Sequence, residues 1–355
     1  MPMIIKPVEQ QEIWDTFLNR VKPHTFLHTW EWGEFQRAYG YERMRVGIYH
    51  DTSLIGVGLL IVMRARRGTF LLCPHGPIFD DQTSSVSEAL GVFLDYCKEL
   101  GREKGCQWVR MCPLILEESG LVSVFRKFHY RKAPLHMHPE RAWILSLDQD
   151  EKALLARMRK NTRYAIRKAT KDGVKITSTA EAAAVHSFYE IYLQTVGRQQ
   201  FTPFPREHIE RELACFNAQG AYAKIFFAEY DNTLVSTAFV VFTRWSAFYH
   251  HGAATLQYPK VPASHLLQWE IIREAQRNGC RFYNFWGLAH DRFISPLDHM
   301  VRRIRRSHPW EGLTLFKTGF GGFEQRYISA QDCPLDGRYW ISYAIEYARK
   351  LKRGL

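Results

Sequence analysis

The chain has 355 residues, 46% hydrophobic and 24% charged, which excludes disordered, collagen-like and coiled-coil classes and leaves material for two globular cores. Forty-eight Lys and Arg against 36 Asp and Glu give a formal charge of +12, which favours phosphate-bearing partners or anionic surfaces. The longest apolar runs fall short of the ~20 residues that cross a bilayer, the amino terminus lacks a secretory pattern, and seven cysteines without a Cys-x-x-Cys pair suit free thiols, so no transmembrane segment and a cytoplasmic location are expected.

In chain order, RMRVGIYH (43–50), a turn at Asp51-Thr52-Ser53, LIGVGLLIVMRA (54–65) and TFLLC (69–73) read as three strands. Val86, Leu90, Phe93, Cys97 and Leu100 then recur at alternating steps of four and three, the stripe of an amphipathic helix with Cys97 as a core thiol. Gly105 stops that helix and CQWVRMCP is a further strand. RAWILSLD ends the first half, and the polar start Asp148-Gln149-Asp150 opens the second. There AKIFFAEY, a turn at Asp231-Asn232, TLVSTAFVVFT and SAFYHHG precede a helix from about Pro262 to Asn278, a stop at Gly279 and the strand CRFYNFWG. The two turns stand 180 residues apart and the two Gly-Cys stops 174 apart, which reads as an internal duplication of an α/β unit or as chance likeness of two modules. Trp340, Ala344, Tyr347 and Leu351 mark a last helix.

No Gly-x-x-x-x-Gly-Lys loop, Gly-x-Ser-x-Gly elbow or His-Glu-x-x-His pair occurs. His24/His28 and His250/His251 lack a carboxylate or thiolate at ligand spacing, so no metal site is expected and these residues read as packing or substrate contacts. Strands followed by helix and strand suggest the acetyltransferase fold, which holds the acetyl-CoA pyrophosphate on a Gly-rich turn before its helix. The corresponding stretches here, ATLQYPKVPASHLL and CPHGPIFDDQTSS, lack a glycine pair, and no cofactor is expected.

Two features could carry chemistry. Residues 157–175 hold eight Lys or Arg and one acid, with Arg159, Arg163, Arg167 and Lys171 at i, i+4 steps. Like charges so placed cost a helix a few tenths of a kcal/mol per pair, which a phosphate-bearing ligand offsets; a solvated helix face is the alternative. Arg302, Arg303, Arg305 and Arg306 form a second basic cluster. In GLTLFKTGFGGFEQRYI (312–328), Lys317 lies between Phe316 and a mobile Gly319-Phe320-Gly321-Gly322 turn, suited to holding an oxyanion or phosphate, or else part of a plain linking loop.

At these residues the sequence resembles the FemABX family of peptidoglycan-bridge aminoacyltransferases. The resemblance rests on MRKNTRYAIRKATKDGVKI (158–176), Thr195-Val196-Gly197-Arg198, SHLLQWEIIREAQRNGCRFYNFWGL (264–288) and LFKTGFGGFE (315–324). It implies an α/β (α+β) fold of tandem acetyltransferase-like (GNAT-like) domains with mixed sheets: 1–146, closed by 323–355, and 147–322. It implies transfer of an amino acid from aminoacyl-tRNA to the third-residue amine of the stem peptide, in UDP-MurNAc-pentapeptide or lipid II, which needs no CoA site and leaves room for peripheral membrane association. By the same resemblance Phe316 and Lys317 are catalytic, Arg198 and Tyr249 contact the UDP-sugar acceptor, and the 159–171 stripe meets tRNA phosphates.

Two positions depart from the family pattern. TWEWGEFQR has Gln36, with Arg37 beside it, where a phosphate-contacting lysine is usual, and VRMCP has Cys112 where an aspartate precedes proline, so a carboxylate base there is not expected. The stretch between Leu288 and Trp310 is too short for the long helical arm of some members. The expected function is thus a tRNA-dependent aminoacyltransferase of interpeptide-bridge synthesis. The alternatives are a GNAT-like acyltransferase of surface-polysaccharide biosynthesis with another activated donor, and a non-catalytic RNA-binding protein.

Overall fold

The computed structural model describes residues 3–21, 24–80, 83, 85–199, 202–218, 222–288 and 311–353. They form two compact units, Met1–Glu140 with Arg326–Leu355, and Arg141–Gln325.

The first unit runs β1 (Met3–Pro7), α1 (Gln11–Arg20), α2 (Trp30–Ala38), the strands β2 (Glu42–His50), β3 (Ser53–Ala65), β4 (Gly68–Cys73) and β5 (Ile78–Phe79), α3 (Val86–Glu103), β6 (Trp108–Met111), α4 (Val122–Lys127) and β7 (Arg131–Lys132). The second runs β8 (Arg141–Ser146), α5 (Glu151–Arg157), α6 (Lys160–Lys171), β9 (Lys175–Thr179), α7 (Ala184–Gln199), α8 (Arg206–Phe216), β10 (Tyr222–Tyr230), β11 (Thr233–Phe242), β12 (Ser246–Ala254), α9 (Ala263–Arg277), β13 (Phe282–Gly287), a helix Glu311–Thr318 and β14 (Phe323–Arg326). The chain then returns to the first unit with β15 (Gln331–Pro334) and the C-terminal helix Tyr339–Arg353. Sheet orders are β1-β2-β3-β4-β6-β15-β7, with β5 on β3, and β14-β8-β13-β12-β11-β10-β9. Both sheets are mixed, because the crossover helices α3 and α9 return the chain parallel to β4 and β12. The unit boundary falls at Glu140/Arg141 rather than after residue 146, since β8 pairs with β13.

The duplication is visible rung by rung. In the first hairpin Ile48 faces Gly56, Tyr49 faces Leu54 and His50 faces Ser53, a bulge that skips Ile55. In the second, Ala228 faces Ser236, Glu229 faces Leu234 and Tyr230 faces Thr233, skipping Val235, each position 180 residues on. The turn at Asp231-Asn232 holds both residues at positive φ, 50° and 55°, as a tight two-residue hairpin with the strand's own twist requires. The helix stops correspond at an offset of 174. Gly105 and Gly279 sit at φ 66° and 76°, Cys106 N–H donates to Gly101 O at 2.8 Å, and Cys280 N–H to Ala275 O at 3.0 Å. This left-handed cap satisfies carbonyls that the helix end would leave open, and only glycine takes it without a Cβ penalty.

Each sheet buries one face under its crossover helix. Leu90, Phe93, Leu94 and Cys97 of α3 cover Val46, Leu60 and Val109. Leu267, Ile271 and Ile272 of α9 cover Phe226, Val240, Ala247 and Tyr283, with Ile166 of α6 beside them. All seven cysteines are free thiols. Among the described residues no helix is long and apolar enough to cross a membrane. The Arg302, Arg303, Arg305 and Arg306 cluster and the rest of the short stretch, 289–310, lie outside the described residues.

Candidate active site

In the second unit β12 and β13 are parallel for only three rungs, Ser246/Phe282, Ala247/Tyr283 and Phe248/Asn284. Beyond Asn284, β13 bulges against β8, and Trp286 takes the left-handed region at φ 64°, with its N–H accepted by Asn284 Oδ1 at 2.8 Å. A left-handed non-glycine residue is held only where its surroundings over-determine it, and such residues concentrate at functional sites. The two strands part here, opening backbone to a ligand.

Lys317 occupies this point. The sequence sets it just before a glycine turn expected to be mobile; it lies in the last turn of the helix Glu311–Thr318, 5% exposed, and its Nζ donates to Gly287 O at 2.5 Å. Among the described residues it forms no ion pair, and burial lowers its pKa to about 7. The following turn is pinned. Trp143 Nε1 donates to Gly321 O at 2.6 Å, Arg159 N–H to Gly319 O at 2.9 Å, and a Cβ on Gly322, which sits at φ 100°, would overlap the Ile144 carbonyl. These glycines serve close packing on β8 and α6, not mobility. Phe316 is half-buried, its ring edge-on to His265 at 4.9 Å and to Phe320 at 5.4 Å. His265, from the first turn of α9, is kept neutral by burial; nothing in its sequence neighbourhood distinguished it.

The basic stripe divides into members with different tasks. Arg159 is the N-cap of α6 and reaches Leu315 O at 3.5 Å, which sets the head of the stripe beside the Lys317 helix. Arg163 is spent on structure, donating to Met158 O at 2.5 Å and Ala156 O at 3.1 Å at the end of α5. Arg167 and Lys171 are exposed and rim a groove of about 530 Å³ floored by Ile166 and Trp269.

The other expected positions are dispersed. Arg198 lies in the last turn of α7 and donates to Ala254 O at 3.0 Å. Tyr249 stands on β12 against the α9-covered core, its phenol pushed up to about 12 by burial. Arg198's helix packs on the opposite face, where Phe188 meets Phe239, so the helix bearing Arg198 and the Tyr249 side chain lie on opposite faces of the sheet. Gln36 and Arg37 lie on α2 of the first unit, Gln36 buried and Arg37 exposed and paired with Glu34 at 2.9 Å. Cys112 is buried, its thiol pushed up to about 12, which leaves no thiolate nucleophile there.

Residues 9–123 match the FemAB family profile, and residues 156–293 match the acetyltransferase (GNAT) domain profile. The first unit is thus similar to the FemAB family and the second to GNAT acetyltransferases. Both profiles support an acyltransferase. Its fold matches the crystal structure of FemX over 98% of this chain and 100% of that one, with TM-score 0.79 and 16% identity. It also matches a tandem GNAT protein of the clavulanic acid biosynthesis pathway (94% and 99% covered, TM-score 0.56, 10% identity) and L-PGS from Bacillus licheniformis (97% and 97%, 0.57, 11%). At such identities these likenesses show the fold. No curated protein sequence matches the chain.

Proposed function

We propose that this protein transfers an aminoacyl group from aminoacyl-tRNA to the stem-peptide amine of a peptidoglycan precursor, UDP-MurNAc-pentapeptide or lipid II. The observation that carries the reading is Lys317, a buried lysine without a described carboxylate partner at the point where β12 and β13 part. Attack of a neutral amine on the aminoacyl ester produces a tetrahedral oxyanion. A lysine already neutralised by a carboxylate could offer it little, whereas Lys317 holds one N–H on Gly287 O and keeps its charge for the oxyanion. With a pKa near 7 the amine is close to half protonated at neutral pH, and negative charge forming beside it draws it to the ammonium form.

The donor assignment is supported by the groove along α6. Arg167 and Lys171 on the rim of this groove suit a phosphate chain. The helix that would bear acyl-CoA starts at Pro262 without a glycine pair, which argues against that donor. The test is mass spectrometry of UDP-MurNAc-pentapeptide incubated with the protein and mixed charged tRNAs, with uncharged tRNA and acetyl-CoA as parallel arms. One added aminoacyl mass with charged tRNA alone is expected. Acetylation, or no product with either precursor form, removes the proposal in favour of another activated donor or of RNA binding without catalysis.

A further inference from the structure

His250 and His251 are neighbours on β12, and on a regular strand they would point to opposite faces of the sheet. A bulge prevents this. Tyr249 faces Val240 and His251 faces Phe239, which leaves His250 as the extra residue, and both rings swing to one side with centroids 3.8 Å apart. They converge on Glu212 of α8, which is fully buried. His250 Nε2 lies 2.9 Å from one carboxylate oxygen and His251 Nε2 3.5 Å from the other. Neither contact is aligned as a regular hydrogen bond, so the buried carboxylate relies for compensation on positive charge among these groups, an imidazolium or a bound cation. A buried carboxylate without a hydrogen bond costs several kcal/mol unless a cation occupies its lone pairs.

We propose that Glu212, His250 and His251 form a binding site for one zinc-class divalent cation. One ligand atom from each residue lies within 4.8 Å of the others. The two nitrogen–oxygen separations bracket the ~3.4 Å edge of a tetrahedron with arms of about 2.0–2.1 Å. Two imidazoles and one carboxylate are a borderline donor set, suited to zinc ahead of magnesium or calcium. The walls are aromatic: Phe239 is edge-on to both histidines at 6.2 and 5.8 Å, and Phe204 and Tyr192 face His251 at 5.6 and 6.2 Å. Because its three ligands come from α8 and β12, the cation's role is to fasten the helix to the strand. The proposal does not rest on the acyl-transfer reading, although Trp286, at the point where β12 and β13 part, stands edge-on to His250 at 6.0 Å.

The test uses the full chain, stripped with a chelator and titrated with Zn²⁺ against a chromophoric competitor, then with Co²⁺ under an absorption spectrometer. One Zn²⁺ per chain is expected, with a thermal midpoint that rises with free Zn²⁺ because only the folded state holds the site. Loss of an outer-shell partner costs metal sites roughly 10–100-fold, so Glu212→Gln and His251→Ala should each weaken binding by at least about 100-fold. The Co²⁺ adduct should show tetrahedral d–d bands without a thiolate charge-transfer band. Absence of stoichiometric binding, binding unchanged in folded Glu212→Gln, or a thiolate band that moves the metal to a cysteine each overturns the proposal. If neither variant folds, the wild-type Co²⁺ spectrum decides.

Discussion

Arg110 on β6 and Asp332 on β15, 222 positions apart, meet fork to fork: Nε donates to Oδ1 and Nη2 to Oδ2, both at 2.7 Å. Glu346 of the C-terminal helix takes the guanidinium at 3.2 and 2.7 Å, Arg67 reaches Glu346 at 3.0 Å, and Tyr339 donates to Asp332 at 3.2 Å. Two cations thus face two carboxylates. Burial opposes the charge on Arg110, but Asp332 and Glu346 outweigh it and hold the group firmly protonated. The chain's return to the first unit after the second is fastened by this network.

Asp332→Ala should therefore destabilise the first unit by about 3–5 kcal/mol, because it leaves a buried guanidinium short of a partner. Urea unfolding followed by tryptophan fluorescence measures it. A loss below about 1 kcal/mol would mean that β15 is held by its backbone ladder to β6 and not by the ion network.

For Lys317→Met the expected outcome is a fall in kcat of about 10²–10³ with little change in acceptor KM, since the charge matters where the oxyanion forms. If kcat and binding fall together, Lys317 anchors ground-state phosphate instead.

The same residue shapes stability against pH. Its pKa is about 7 in the folded chain and near 10.5 when unfolded, so between these values the unfolded state binds the extra proton and stability rises with pH. Below pH 7 the cost of burying the charge is constant, on the order of 5 kcal/mol. Lys317→Met should be more thermostable than wild type at pH 7, with the gap closing toward pH 10. A gap that does not vary with pH contradicts a buried ammonium. Turnover, if it needs the ammonium, should decline as pH climbs above 7.

Along α6, Arg167→Ala with Lys171→Ala should weaken tRNA use while leaving folding intact, because both side chains are exposed. For every phosphate that the variant no longer neutralises, the slope of log affinity against log salt should fall by about 0.7–0.9. Arg163→Ala should lower the thermal midpoint, since its guanidinium caps α5 carbonyls. An unchanged salt slope would leave the stripe as a solvated face.

Arg198→Lys keeps the charge and loses the planar fork, so an acceptor role predicts a raised acceptor KM with unchanged unfolding. A kinetically silent Arg198→Lys, with a Tyr249→Phe that alters only the melting temperature, would make both residues structural and put the acceptor elsewhere.

The hairpins, their Asp-headed turns and the Gly-Cys helix stops were legible in the sequence, because each depends on residues within a few positions of one another. A left-handed turn or cap needs particular residue types wherever it occurs, and so the 180- and 174-residue offsets survived into the rungs of the sheets. Lys317 could be singled out by its setting, but not its titration near pH 7, which follows from burial by segments far away in the chain. Nor could the stripe be divided: Arg163 and Arg167 are alike in sequence, and only the packing of α5 engages one and leaves the other exposed. The meeting of Glu212 with His250 and His251 was decided by tertiary structure alone. It takes a one-residue bulge to turn both rings to one side and a helix 34 or more positions upstream to present the carboxylate, and no local pattern encodes either distance.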